Sequence, residues 1–209
     1  MKNILLSTLF ALITTLVFSQ APSYVPANGL VGWWPFNGNA DDESGNGNNG
    51  SVNGATMTTD RNGVANQAYS FDGYNDFISI NDNQTLNVSN VTVSAWYNAV
   101  DYGSAQQGFQ GHIVSKRESS GWGTSFQLAL ENSTPNHAIW ATYTIAGDGW
   151  AYYSSNSVLT SQNWIHVTYT HDNTSAKIFI NGILVNTTLI SGGLQTNNLP
   201  LWFGARPNA

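Results

Sequence analysis

The chain has no cysteine, so no disulfide can staple it. An oxidising compartment is tolerated but not exploited, and stability has to come from an apolar core. Charge is nearly as scarce: Asp, Glu, Lys and Arg make up 9% of the 209 residues, against a typical ~25%. Solubility therefore rests on Asn, Ser, Thr and Gly. Lys and Arg number six, no basic run exists, and the net charge is −6, which excludes nucleic acid and anionic membrane as partners of the chain as a whole. No long helical period occurs after the N-terminus.

What is present begins with a leader. Lys2 supplies a positive start, and an apolar run over residues 4–18 is too short to span a bilayer comfortably. Val17 and Ser19 suit the positions before a cleavage point, so residues 1–19 read as a signal peptide, 20–28 as a linker and 29–209 as one mature domain. The alternative of a membrane anchor lacks a basic flank after residue 20. The predicted location is secreted or cell surface, with no membrane insertion once the leader is removed.

The domain reads as short strands separated by Gly, Asn and Asp clusters. Residues 91–97 alternate, with Val91, Val93, Ala95 and Tyr97 on one face. Further strands are predicted over 112–116, 126–130, 138–143, 164–170 and from 201. Asn181-Gly182 between two apolar runs is the strongest short-range hairpin signal. Residues 30–55, LVGWWPFNGNADDESGNGNNGSVNGA, open as an aromatic strand and become a loop of acids, amides and glycines; YSFDGYNDFISI follows at 69–80.

Those two cassettes resemble the opening of a laminin G-like jelly roll of the concanavalin A-like lectin/glucanase superfamily. The segments VTVSAWYNA, HIVSKRESSGWGTSFQLAL and NWIHVTYTHDNTSAKIFINGILV resemble its later strands in the correct order. The resemblance implies an all-β, two-sheet antiparallel sandwich. Family members continue past the segment resembling LWFGA into a last strand with an F-x-G-x-[IL]-[DE]-[DE]-[VI] motif, whereas this chain stops at Ala209. The expectation is thus a C-terminally incomplete domain, a fragment of a longer protein.

By the same resemblance, a structural Ca²⁺ is implied at the acidic loop, with Asp42 the first side-chain ligand, Asn46 next and Asp41 the fallback. Carboxylate and amide oxygens are what Ca²⁺ prefers. The alternative is a solvated turn in which Asp42 caps backbone N–H groups. Asp72 and Asp172 read as turn residues first. Trp122, Trp150 and Tyr152, in or near Gly- and Ser-rich loops, and Tyr102 in the loop 101–111 are the candidate sugar-stacking residues, since such a site needs an apolar platform and a few placed polar groups. Core packing is the competing reading. Trp33, Trp34, Trp96 and Trp164 are expected in the core.

Catalysis by this segment is not expected. A retaining glycosidase needs two carboxyl groups about 5–5.5 Å apart, and the only glutamates, Glu43, Glu118 and Glu131, are not paired along a strand. Neighbouring Asp41 and Asp42 would point to opposite faces of a strand. His112, His137, His166 and His171 accompany no G-x-S-x-G motif. The reading is a secreted, non-catalytic module that binds a polysaccharide or cell-surface glycan. The alternatives are a domain contacting an extracellular protein as adhesin or spacer, and an accessory arm of a secreted glycoside hydrolase.

Overall fold

The computed structural model describes residues 21–99, 111–117, 125–131, 138–147, 149–154 and 163–205. The expected leader at 1–19 lies outside them, as do Tyr102 and Trp122. Early in the chain come β1 (Gly50–Asn53), β2 (Thr56–Thr58), β3 (Ala68–Ser70), β4 (Phe77–Ile80) and β5 (Val91–Asn98). The middle supplies β6 (Gly111–Lys116), β7 (Phe126–Glu131), β8 (Ala138–Ile145) and β9 (Gly149–Ser154). The last four are β10 (Trp164–His171), β11 (Ser175–Ile180), β12 (Ile183–Leu189) and β13 (Leu201–Phe203). The only helix among the described residues is a 3₁₀ turn, Gln84–Leu86, and none is long and apolar enough to cross a membrane.

The strands form a seven-stranded sheet in the order β1-β4-β13-β6-β7-β8-β9, a four-stranded sheet in the order β12-β11-β10-β5, and the hairpin β2-β3. The pairings are antiparallel. Ile78, Ile80, Leu128, Ile139, Ala141 and Tyr143 from the larger sheet meet Ile165, Val167, Tyr169, Ala176 and Ile178 from the smaller in one buried cluster. This is the expected two-sheet antiparallel sandwich. Burial of such side chains contributes roughly 1.5–3 kcal/mol each.

Local sequence explains most of it. Val91, Val93, Ala95 and Tyr97 pack on the core while Thr92, Ser94, Trp96 and Asn98 face outward. Asn181 at φ 50° and Gly182 at φ 80° make the two-residue turn with both residues left-handed that joins β11 to β12.

Four expectations are corrected. Trp96 is 45% exposed rather than in the core, because strand parity puts it opposite the Val91–Tyr97 set. Residues 30–36 form no strand. Instead, loop side chains satisfy their backbone: Asn46 Nδ2 donates to Leu30 O, Asn48 Nδ2 to Val31 O, and Trp33 N–H donates to Asp42. Trp150 and Tyr152, expected in or near loops, lie in strand β9 at the edge of the larger sheet. Trp34 does pack inward, edge-on to Phe203 at 5.1 Å, with its indole N–H donating to Asn48 O; Trp33 is half-buried, and Trp164, also expected in the core, is half-buried on the outward parity of β10, level with Asn98.

Candidate functional site

Residues paired directly across an antiparallel ladder share a face. In the larger sheet, one row turned away from the core runs Ser51, Ser79, Trp202, Ser115, Gln127, Thr142, across β1, β4, β13, β6, β7 and β8. Thr144 lies farther along β8 on the same face. Apolar alternation would leave such positions solvated, yet Ser115 and Gln127 are 0% exposed, Thr142 1% and Thr144 4%.

The row is built from below and from one end. Arg117, itself buried, donates from Nη1 to Gln127 Oε1 at 2.6 Å and fixes the amide. Ser115 Oγ donates to Ala205 O at 2.9 Å. Lys116 points the other way; its Nζ donates to Asp82 Oδ1 at 2.8 Å and to Leu199 O at 2.6 Å, tying β6 to the loops at 82 and 199. Trp202 stacks at a tilt on Phe77 at 4.6 Å.

Four polar atoms on this face have no hydrogen-bond partner: Gln127 Nε2, Thr142 Oγ1, Thr144 Oγ1 and Trp202 Nε1. A buried donor or acceptor left unmade costs about 1–3 kcal/mol, so such groups normally hold an ordered water or a ligand. Trp150 and Tyr152 stand in β9 opposite Thr144 and Thr142, at register positions of this same face. Two of the four expected sugar residues are thereby brought beside the row, and Tyr102 and Trp122 lie outside the described residues. Sequence reading missed Gln127, Thr142 and Thr144. The available signal was partial: Gln127 and Glu131 in FQLALE, and Thr142 and Thr144 in AIWATYTI, stand two or four positions apart in otherwise apolar segments.

The acidic loop has a different character. Asp42 Oδ1 accepts from the backbone N–H of Trp33 and of Ser44, both at 2.9 Å. Its Oδ2 accepts from the Ser44 hydroxyl at 2.9 Å and the Asn48 N–H at 3.0 Å. Asn46 Nδ2 donates to Leu30 O and Ser44 Oγ, and Asp41 is exposed. Donors converge on Asp42 where Ca²⁺ would need further acceptors. The residues present therefore do not fit a calcium cage centred on Asp42. Among the described residues no group of three or more His, Cys, Asp or Glu is placed to hold a metal.

Other acids close turns. Asp72 Oδ1 accepts from the N–H groups of Tyr74, Asn75 and Asp76, which hold its carboxyl below the usual range. Asp172 accepts from Thr174 and Ser175 through both backbone and hydroxyl, and its carboxyl is likewise held well down, chiefly by the Thr174 hydroxyl. Both are the turn residues expected.

A family model, Laminin_G_3 of the Concanavalin A-like lectin/glucanases superfamily, matches residues 72–209. No curated protein matches the chain by sequence. Among solved structures, the chain is similar to domain 4 of AbnA, a GH43 extracellular arabinanase from Geobacillus stearothermophilus, in complex with arabinotriose. The TM-score is 0.61 at 17% identity, covering 85% of this chain and 84% of that one. It is also similar to the binding domain of botulinum neurotoxin serotype D, with TM-score 0.55 and 18% identity over 81% of this chain and 41% of the other. At such identities the likeness is one of fold.

Proposed function

This chain belongs to the concanavalin A-like lectin/glucanase superfamily through a laminin G-like domain, and from that premise we propose that it is a non-catalytic carbohydrate-binding module. Its site is the outer face of the larger sheet. The observation that carries this reading is the set of buried, unpartnered polar atoms of Gln127, Thr142 and Thr144 on two adjoining strands. Sugar hydroxyls both donate and accept, so they can complete such a row. Trp150 and Tyr152, at the neighbouring register positions, supply the aromatic element. The arabinotriose held by the arabinanase domain makes a short neutral oligosaccharide the first probe.

The non-catalytic part is supported by what the carboxylates do. Asp42, Asp60, Asp72 and Asp172 cap turns, Asp82 pairs with Lys116, and Glu43 accepts from Asn37. We place the module outside the cell, secreted or on its surface, on the strength of the apolar leader and the low charge. An accessory role beside a glycosidase is compatible with it. A protein-binding, adhesive role is favoured by one separate observation: Ile183, Leu184 and Leu189 on β12 are 69%, 49% and 85% exposed.

Calorimetry with arabinotriose, followed by a wider neutral-glycan screen, tests the reading. Saturable binding is expected, weakened about two- to tenfold in Thr142→Val, the worth of one hydrogen bond, and about tenfold or more in Trp150→Ala. A folded protein that binds no glycan in the screen transfers the argument to the β12 surface.

A further inference from the structure

The smaller sheet carries no acid: β5, β10, β11 and β12 contain no Asp or Glu. The cations are distributed the opposite way. Among the described residues, Lys116 and Arg117 are buried in the larger sheet and its flanking loop. The remaining two, Arg61 and Lys177, both stand over the outer face of the smaller sheet.

Arg61 reaches there from the turn between β2 and β3, its guanidinium carbon 4.7 Å above the centre of the Trp96 ring. Stacking uses the flat face of the guanidinium and leaves its in-plane N–H fork free. The nearest acid in sequence, Asp60, spends its carboxylate on Asn62 and Val64 in its own turn. The single ion pair among the described residues is Lys116 with Asp82, so Arg61 and Lys177 are both unpaired.

Between the two cations lies a floor of hydroxyls. Trp96 packs 5.0 Å from His166, whose Nε2 is 2.8 Å from Ser94 Oγ, and Ser94 Oγ is 3.3 Å from Thr168 Oγ1. Thr92 and Thr170 pair next along the ladder, and Lys177 pairs with Thr170. Trp96 and Lys177 flank β10 on opposite sides, level with His166 and Thr170, so at ~3.3 Å per residue and ~4.8 Å per strand their backbone positions lie roughly 16 Å apart. Single small anions cannot touch both.

We propose that the outer face of the smaller sheet binds an anionic polysaccharide, with uronate carboxylates on Arg61 and Lys177 and the ring hydroxyls between them on Ser94, Thr168, Thr170 and His166. Charge-assisted contacts to carboxylate are the strong ones. They are also the salt-sensitive ones at an exposed site. The absence of acids from these strands lowers, on this face, the repulsion that the net charge of −6 imposes. This face is separate from the site of Gln127 and Thr142, and each can exist without the other.

Calorimetry on the full chain compares tetragalacturonate with its methyl ester, at low and at high salt. The expected result is binding of the acid at least tenfold tighter than of the ester, a gap that closes at high salt. Arg61→Gln and Lys177→Gln should each weaken the acid severalfold, with unchanged thermal melting to certify folding. Thr142→Val should leave it unaltered. Equal affinity for acid and ester overturns the proposal. So does an effect of Thr142→Val with none of Arg61→Gln, because the ligand then lies on the other sheet. Absence of tetragalacturonate binding also overturns it. If in that case vesicles containing phosphatidylserine sediment the protein in an Arg61-dependent way, the face meets a membrane instead.

Discussion

The two sheets of this sandwich carry nearly the same kit: serines, threonines, aromatic rings and a pair of cations. They differ in what the polar groups are joined to. On the larger sheet Lys116 and Arg117 are buried and bonded, and Gln127, Thr142 and Thr144 are sealed from solvent with atoms unmatched. On the smaller sheet Arg61 and Trp96 are exposed, and the hydroxyls bond one another. Similar groups are thus open and bonded to one another on one side, and covered with bonding capacity left unmet on the other. The deciding variable is burial, which raises the cost of every unmade bond.

The sharpest way to break this contrast is to remove one cation from each sheet. Lys116→Met strips Asp82 and Leu199 O of their donor, and breaking a buried pair costs about 3 kcal/mol or more. Lys177→Met should stay within about 0.5 kcal/mol. Urea unfolding reads both, and equal losses would remove the distinction between sealed and open faces.

The same contrast applies to acids in one loop. Asp42→Ala orphans the N–H groups of Trp33, Ser44 and Asn48, for an expected loss of about 2–3 kcal/mol. Exposed Asp41→Ala should be close to neutral. Melting temperatures with Ca²⁺ and with chelator should coincide in both backgrounds. A Ca²⁺-dependent rise in the parent that disappears in Asp42→Ala would restore the calcium reading.

The smallest effect belongs to one buried histidine. His171 is 1% exposed, edge-on to Tyr143 at 4.8 Å, and burial pushes its pKa below the ordinary 6.5, with Asp172 opposing. The unfolded chain then binds the proton more readily, so His171 costs no stability above about pH 6.5 and destabilises progressively as pH falls below it. The slope is at most about 1.4 kcal/mol per pH unit. Subtracting a His171→Phe curve isolates it from the carboxylates. A difference that is flat between pH 7 and 5 would show that His171 is protonated equally in both states.

How much of this could be read from the sequence depended on how local the cause was. The turn at Asn181-Gly182 and the alternation of 91–98 are set by neighbours along the chain, and both appear where expected. Trp96 was misplaced although the alternation already put it on the outward parity; family position outweighed the arithmetic of the strand. The aromatic segment 30–36 looks like a strand in composition, but its backbone partners are the side chains of Asp42, Asn46 and Asn48. Those contacts link residues 9 to 17 positions apart, beyond the reach of a period. The unmatched row of Gln127 and Thr142 left only a partial trace for a related reason. A strand covered on both faces has no solvated side to mark its register.

The placement of the cations also bears on how long the module survives outside a cell. Trypsin-like proteases cut after Lys or Arg in exposed, yielding backbone. Among the described residues, Lys116 and Arg117 are buried, and Lys177 lies within a strand hydrogen-bonded on both sides. Only Arg61, in its turn, offers itself. Limited digestion should therefore nick the described part of the fold at residue 61 first, and any ligand resting on that guanidinium would shield the bond that follows it.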